Sequence, residues 1–215
     1  MALRPPLSPR VAEALVALDP AALEDEVRFE GVELTGVAAE GLRVRHLTLA
    51  ESRVKAVLAG ARLPDLHLSD AVISGADLAN LHAPAAALRK VEVDQARLTG
   101  ATLSEASLRD VTLKGCRMDL ANLAGARLER VLFVDCDLRE ASLGEAVLRD
   151  VRFRGCDLGG AELARTRLQR VELEGCRLEG IRSVADLRGA AMPWPDIVAN
   201  AGVFAAAAGI RIAEG

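Results

Sequence analysis

The sequence predicts an all-β solenoid, a coil with four flat sides, and three observations predict it. The first is a five-residue beat. From Ala56 to Gly180, 25 consecutive quintets run in one frame. Their third residue is Leu, Ile, Val, Met or Phe in every one except LHAPA, where it is Ala83, and their first is nearly always Ala, Val or Cys. A helix cannot use this beat, because at about 100° per residue every fifth side chain walks around the cylinder. A plain strand alternates with period two. A coil that turns a corner every five residues, with two inward side chains per side, satisfies it. The second observation is a longer period of 20: Val91, Val111, Val131, Val151 and Val171 open quintets, Cys116, Cys136, Cys156 and Cys176 open the next ones, and Phe133 and Phe153 keep the same spacing. Periods of this length mark stacked repeats. The third is glycine: 12 of the 18 stand at the fifth position, where a tight corner calls for positive φ.

Taken in order, the elements follow from local signals. Ser8-Pro9 reads as an N-cap and first helical residue, so VAEALVAL to Leu18 is expected as a short helical cap, with a second turn after Asp19-Pro20. Such a cap is needed because an open coil end exposes strand edges and core. Quintets begin at Val27 with VRFEG, and one residue is missing at Ser52–Lys55, which predicts a local distortion. LHAPA should be irregular too, since Ala83 underfills its position and Pro84 removes a donor. Pro195-Asp196 opens a final helix in which Ile197, Ala201, Phe204 and Ala208 form an apolar stripe. The expected organisation is a cap over 1–26, the coil over 27–186 and a capping or dimerisation helix over 187–215.

Quintets such as ADLAN at Ala76, ANLAG at Ala121 and CDLGG at Cys156 resemble the pentapeptide-repeat family, and the resemblance covers about residues 27–186. It implies a right-handed four-sided parallel β-helix with one quintet per side. At about 4.8 Å per coil, about eight coils would make a rod of roughly 38 Å. The C-terminal segment, with Trp194, Ile197, Val198, Ala201, Phe204, Ala205 and Ala208, resembles the helix through which the quinolone-resistance branch forms head-to-head dimers. The resemblance therefore implies a homodimer through residues 193–209. That branch binds DNA gyrase as a DNA mimic and protects it against topoisomerase poisons.

Composition narrows the function. Hydrophobic residues make up 51% and aromatics 2%, which suits an interior wide enough for Leu and Ala but seldom for Trp. No secretory signal or transmembrane span is legible, so the expectation is a cytoplasmic protein. The four cysteines fall in one column and are read as small structural hydrophobes, with no CxxC and no nearby histidine to suggest metal. No catalytic motif occurs, and neither enzyme activity nor a cofactor is expected.

The net charge is −4 and unevenly placed. Glu24, Asp25, Glu26 and Glu30 form an acidic patch near the start, the one candidate mimic surface. Further on, one side carries Arg89, Lys90, Arg109, Arg127, Arg130, Arg149, Arg167 and Arg170 against Asp110, Glu129 and Asp150, a net +5. Such a stripe suits an acidic partner. Without interleaved aromatics it offers no stacking platform for single strands, so direct nucleic-acid binding is not expected. The primary reading is a non-enzymatic interaction scaffold whose partner is another protein. Gyrase binding is the alternative.

Overall fold

The computed structural model describes residues 3–211. Parallel strands join in one 12-stranded sheet wound into a solenoid of about nine turns. The strands His67–Ser74, Ala87–Asp94, Ser107–Lys114, Arg127–Val134, Val147–Arg154 and Arg167–Glu174 stack residue on residue at a spacing of 20 in the chain. Each bends at its centre, at the fifth quintet position, so one strand serves two sides.

The inward positions make ladders. Leu108, Leu128 and Leu148 lie in register and are fully buried, and Leu168 continues the column half-buried near the C-terminal end. Phe133 and Phe153 stack with ring centroids 4.8 Å apart and planes within 4°. The interior is filled: two apolar voids along the axis measure only about 10 and 40 Å³. All 12 quintet-ending glycines have φ between +56° and +70°, which confirms why the beat places them there.

The missing residue leaves a visible mark. Thr35 pairs with Lys55 but Ala38 pairs with Val57, so the register slips by one beside Ala56. LHAPA, by contrast, is regular, against expectation. Ala83 and Ala85 donate to Thr102 and Ser104 at 2.9 and 2.8 Å, and Ala83 is fully buried. The reason is that on this side of the coil, and on the side before it, the fourth-position amide does not join the ladder. In Ala79, Ala124 and Ala164 it donates to the side chain two residues back. Pro84 therefore removes nothing that the coil uses, and neither does Pro64.

The N-terminal cap is not the helix expected over Ser8–Leu18. Residues 3–15 form no helix or strand, and Val16–Ala17 pairs in parallel with Val32–Glu33 as a first rung. The edge of the first coil offers partners instead: Val16 and Leu18 N–H donate to Gly31 O and Glu33 O at 2.9 and 2.8 Å. The second signal holds: Asp19 caps a short 3₁₀ turn, Pro20–Ala22, by accepting from Ala21 N–H at 2.9 Å. At the other end, Ala190–Ala191 adds a last rung on Val171–Glu172. The C-terminal helix follows in two pieces, α1 (Trp194–Ala199) and α2 (Ala201–Ala207), broken at Asn200.

Candidate interaction surface

One corner of the solenoid carries a charge ladder. Asp70, Lys90, Asp110, Arg130, Asp150 and Arg170 occupy the same fifth position in successive coils, all with φ between +50° and +57°. Signs alternate in pairs. Lys90 Nζ lies 3.5 Å from Asp70 Oδ1. Arg130 grips Asp110 with Nε–Oδ1 at 2.6 Å and Nη2–Oδ2 at 2.7 Å. Arg170 grips Asp150 at 2.6 and 2.5 Å in the same two-pronged way. Two parallel bonds to a planar fork are the strong form of this contact. Asp110 and Asp150 are only 3% and 4% exposed. The Arg130 guanidinium holds the Asp110 carboxyl below the usual carboxylate range, helped by the Leu7 amide. Arg170 does the same for Asp150, with help from Arg4.

This changes the stripe read from sequence. Lys90, Arg130 and Arg170 are engaged by the ladder's own acids. Arg109 is shared between Asp110 and Glu129 at 3.9 Å each, and Glu129 also contacts Arg130. Arg89, Arg127, Arg149 and Arg167 remain exposed and make no ion pair among the described residues. Arg149 only donates from Nε to Gln169 Oε1 at 2.7 Å. Arg127 lines an open groove of about 700 Å³ with Glu105, Glu145 and Arg165. The surviving cationic surface is thus half of the predicted one, fixed by strand register.

The acidic patch is exposed on the first coils but partly neutralised. Asp25 accepts from the Arg45 amide at 2.8 Å and from its guanidinium at 2.9 and 2.8 Å. The Arg45 amide, then its side chain, lower the Asp25 pKa. Glu30 lies 3.4 Å from Arg28. Glu24 and Glu26 are exposed.

The helix residues divide. Ile197 and Ala205 are half-buried, and Phe204 packs against the core with Val203. Ala201 and Ala208 face solvent, while Trp194 and Val198 are 74% and 57% exposed. The four cysteine thiols are buried; Cys136 Sγ lies 3.4 Å from Val134 O and 3.5 Å from Leu113 O. The neighbouring Cys136 thiol, then burial, push the Cys116 pKa up. No helix among the described residues is long and apolar enough to cross a membrane.

Sequence reasoning missed the N-terminal arm. Leu7 N–H donates to Asp110 Oδ1 at 3.2 Å and Arg10 N–H to Asp70 Oδ1 at 3.1 Å, contacts that span 103 and 60 residues. The alternation of Asp with Lys or Arg at every twentieth position was present as a signal. Nothing local linked it to a proline-rich arm so far away.

Residues 86–163 and 113–182 match the family model described as Pentapeptide repeat region. No curated protein matches the chain. Among solved structures, HetL, a pentapeptide repeat protein involved in heterocyst differentiation regulation from the cyanobacterium Nostoc sp. strain PCC 7120, is 23% identical. That match covers 79% of this chain and 91% of HetL, with a TM-score of 0.35. QnrB1, a plasmid-mediated fluoroquinolone resistance protein, is 18% identical over 86% of this chain and 99% of its own, with a TM-score of 0.39. A pentapeptide repeat protein (Rfr23) from the cyanobacterium Cyanothece 51142 is 16% identical over 68% and 91%, with a TM-score of 0.33.

Proposed function

Because this chain belongs, through its repeat region, to the pentapeptide-repeat family, we propose that it is a non-enzymatic interaction module that binds an acidic protein partner along one rigid side. The observation that carries this reading is the set of exposed, unpaired guanidiniums of Arg89, Arg127, Arg149 and Arg167 on a face whose spacing the parallel ladder fixes. At about 4.8 Å per coil, Arg127 and Arg167 stand roughly 10 Å apart. Side chains held at such spacing lose little further backbone freedom on binding, which favours affinity. A filled interior leaves the outer faces as the working surface. Two copies join through the C-terminal helices in this reading, supported by Trp194 and Val198, one turn apart and exposed.

The test is affinity capture with the intact protein and with a triple reversal, Arg89→Glu, Arg127→Glu and Arg149→Glu. Loss of the same acidic proteins from the reversed sample supports the module. An unchanged capture profile rejects it. Gyrase binding by DNA mimicry is the second reading, supported by exposed Glu24 and Glu26 alone. Supercoiling by gyrase, with and without a quinolone, should be unaffected by this protein; inhibition or protection that disappears on reversing Glu24 and Glu26 would favour the second reading instead.

A further inference from the structure

The arm and the ladder share a spacing. Residues 4, 7 and 10 step three at a time, while Asp150, Asp110 and Asp70 step two coils at a time. An extended polyproline II chain rises about 3.1 Å per residue with three residues per turn, so three residues cover roughly 9.3 Å. Two coils cover roughly 9.6 Å. The match lets successive turns of the arm meet successive carboxylates: Arg10 N–H donates to Asp70 and Leu7 N–H to Asp110, and Arg4 comes next to Asp150.

Burial repeats with the same period. Leu3, Pro6 and Pro9 are half-buried, while Arg4, Pro5, Leu7, Ser8 and Arg10 are exposed. Proline has no amide hydrogen, so between residues 4 and 10 only Arg4, Leu7, Ser8 and Arg10 can donate. Two of these four, Leu7 and Arg10, donate to the ladder. The carboxylates suit the task, since Arg130 and Arg170 fix their orientation and each keeps lone pairs for a further donor. The arm makes no strand pairing with the rod. Its hold is of the kind a peptide makes in a groove, with amides read by fixed acceptors and prolines packed between them.

We propose that the Asp70–Asp110–Asp150 corner is a binding site for extended proline-rich strands, that the arm is its resident occupant, and that a partner strand with the same spacing of prolines and free amides enters by displacing the arm. This rests on the reading of the chain as an interaction module and names a second class of partner for it. The argument for that partner is the three-residue amide spacing set against the two-coil carboxylate spacing. A tethered occupant competes at an effective concentration of order millimolar. A free strand therefore binds visibly once the arm's own grip is weakened.

The experiment uses the full chain and a fluorescent peptide of residues 3–12. Leu7→Pro in the protein removes the central arm amide without touching the rod. Anisotropy should show the peptide binding this variant about 10-fold or more tightly than it binds the unaltered protein. The same peptide carrying Leu7→Pro should bind neither. A nitroxide on Ser8→Cys, the other thiols being buried, should become mobile as unlabelled peptide is added. Equal binding of both peptides, or no binding to either protein at peptide concentrations above several millimolar, overturns the proposal. So does peptide-free arm release that rises with protein concentration alongside dimer formation, which would make a second copy the occupant. None of these outcomes depends on Arg89, Arg127 or Arg149, so the capture experiment fails or succeeds separately.

Discussion

Asn200 stands in for the missing next coil beneath Leu178. Its Oδ1 accepts the Leu178 N–H at 3.1 Å, and its Nδ2 donates to Cys176 O at 3.2 Å and to Asp196 O at 2.9 Å. The side chain is one of few buried polar groups, 7% exposed. Asp196 and Asp186 act similarly on the amides of Gly175 and Arg165 at 2.7 and 2.9 Å. Asn200→Ala should cost about 1–3 kcal/mol, since it leaves a buried amide and a carbonyl without partners. Urea unfolding measures this, and amide exchange at Leu178 should accelerate.

Corner glycines should differ in their tolerance of a side chain. Gly155 has φ of +63°, and an added Cβ would lie 2.4 Å from Asp135 Oδ1. Gly75 has φ of +56° with nothing within 4 Å. Both alanine variants incur the left-handed penalty of roughly 1–2 kcal/mol. Gly155→Ala should lose more than Gly75→Ala, because Asp135 must move, and comparison of their thermal midpoints reads the difference.

The ladder predicts an acid sensitivity. Asp110 and Asp150 have folded pKa values held below the ordinary carboxylate value by Arg130 and Arg170 respectively. Their contribution is therefore complete above the unfolded pKa of about 3.9 and is lost as pH falls through the lower folded values. A Ser8→Cys spin label should stay ordered from pH 7 past the ordinary carboxylate value of about 3.9 and become mobile only as pH falls through the lower folded values. Asp110→Asn should weaken arm ordering already at pH 7. A label in Asp110→Asn as ordered at pH 7 as in the unaltered protein would show that the carboxylate does not hold the arm.

The proposed dimer is best tested at Trp194 and Val198. Phe204 already packs on its own rod, so Phe204→Glu would disturb the cap as well as any interface. Trp194→Glu with Val198→Glu alters only exposed positions. Sedimentation should show a dimer for the unaltered chain and a monomer for the double variant, with unchanged thermal stability of the monomeric rod. A monomer in both cases rejects the dimer.

Much of the rod was legible because the signal is repeated. Leu128, Leu148 and Phe133 each sit where their quintet position demands, and so does every corner glycine of the beat. The register slip beside Ala56 was legible as one missing residue. Misreadings came where a local rule met a tertiary partner. Pro84 looked disruptive until the ladder showed its amide position to be unused. Ser8-Pro9 looked like a helix start, yet the segment lies extended because the Asp110 and Asp70 carboxylates offer its amides better partners. Lys90, Arg130 and Arg170 looked available from their side of the coil, but each meets an acid 20 residues earlier in the chain.

By itself the sequence determined the period, the inward and outward positions, and the corners, because these depend only on residue size and backbone freedom at fixed spacing. Tertiary structure alone decided which charges stay unpaired, what closes the ends and where the arm lies. Those outcomes depend on contacts between coils and across 60 to 103 residues of chain, where the Asp110 carboxylate is shared between a guanidinium one coil away and an amide 103 residues earlier. No local pattern carries such a contact, since its energy arises only once both partners are brought together.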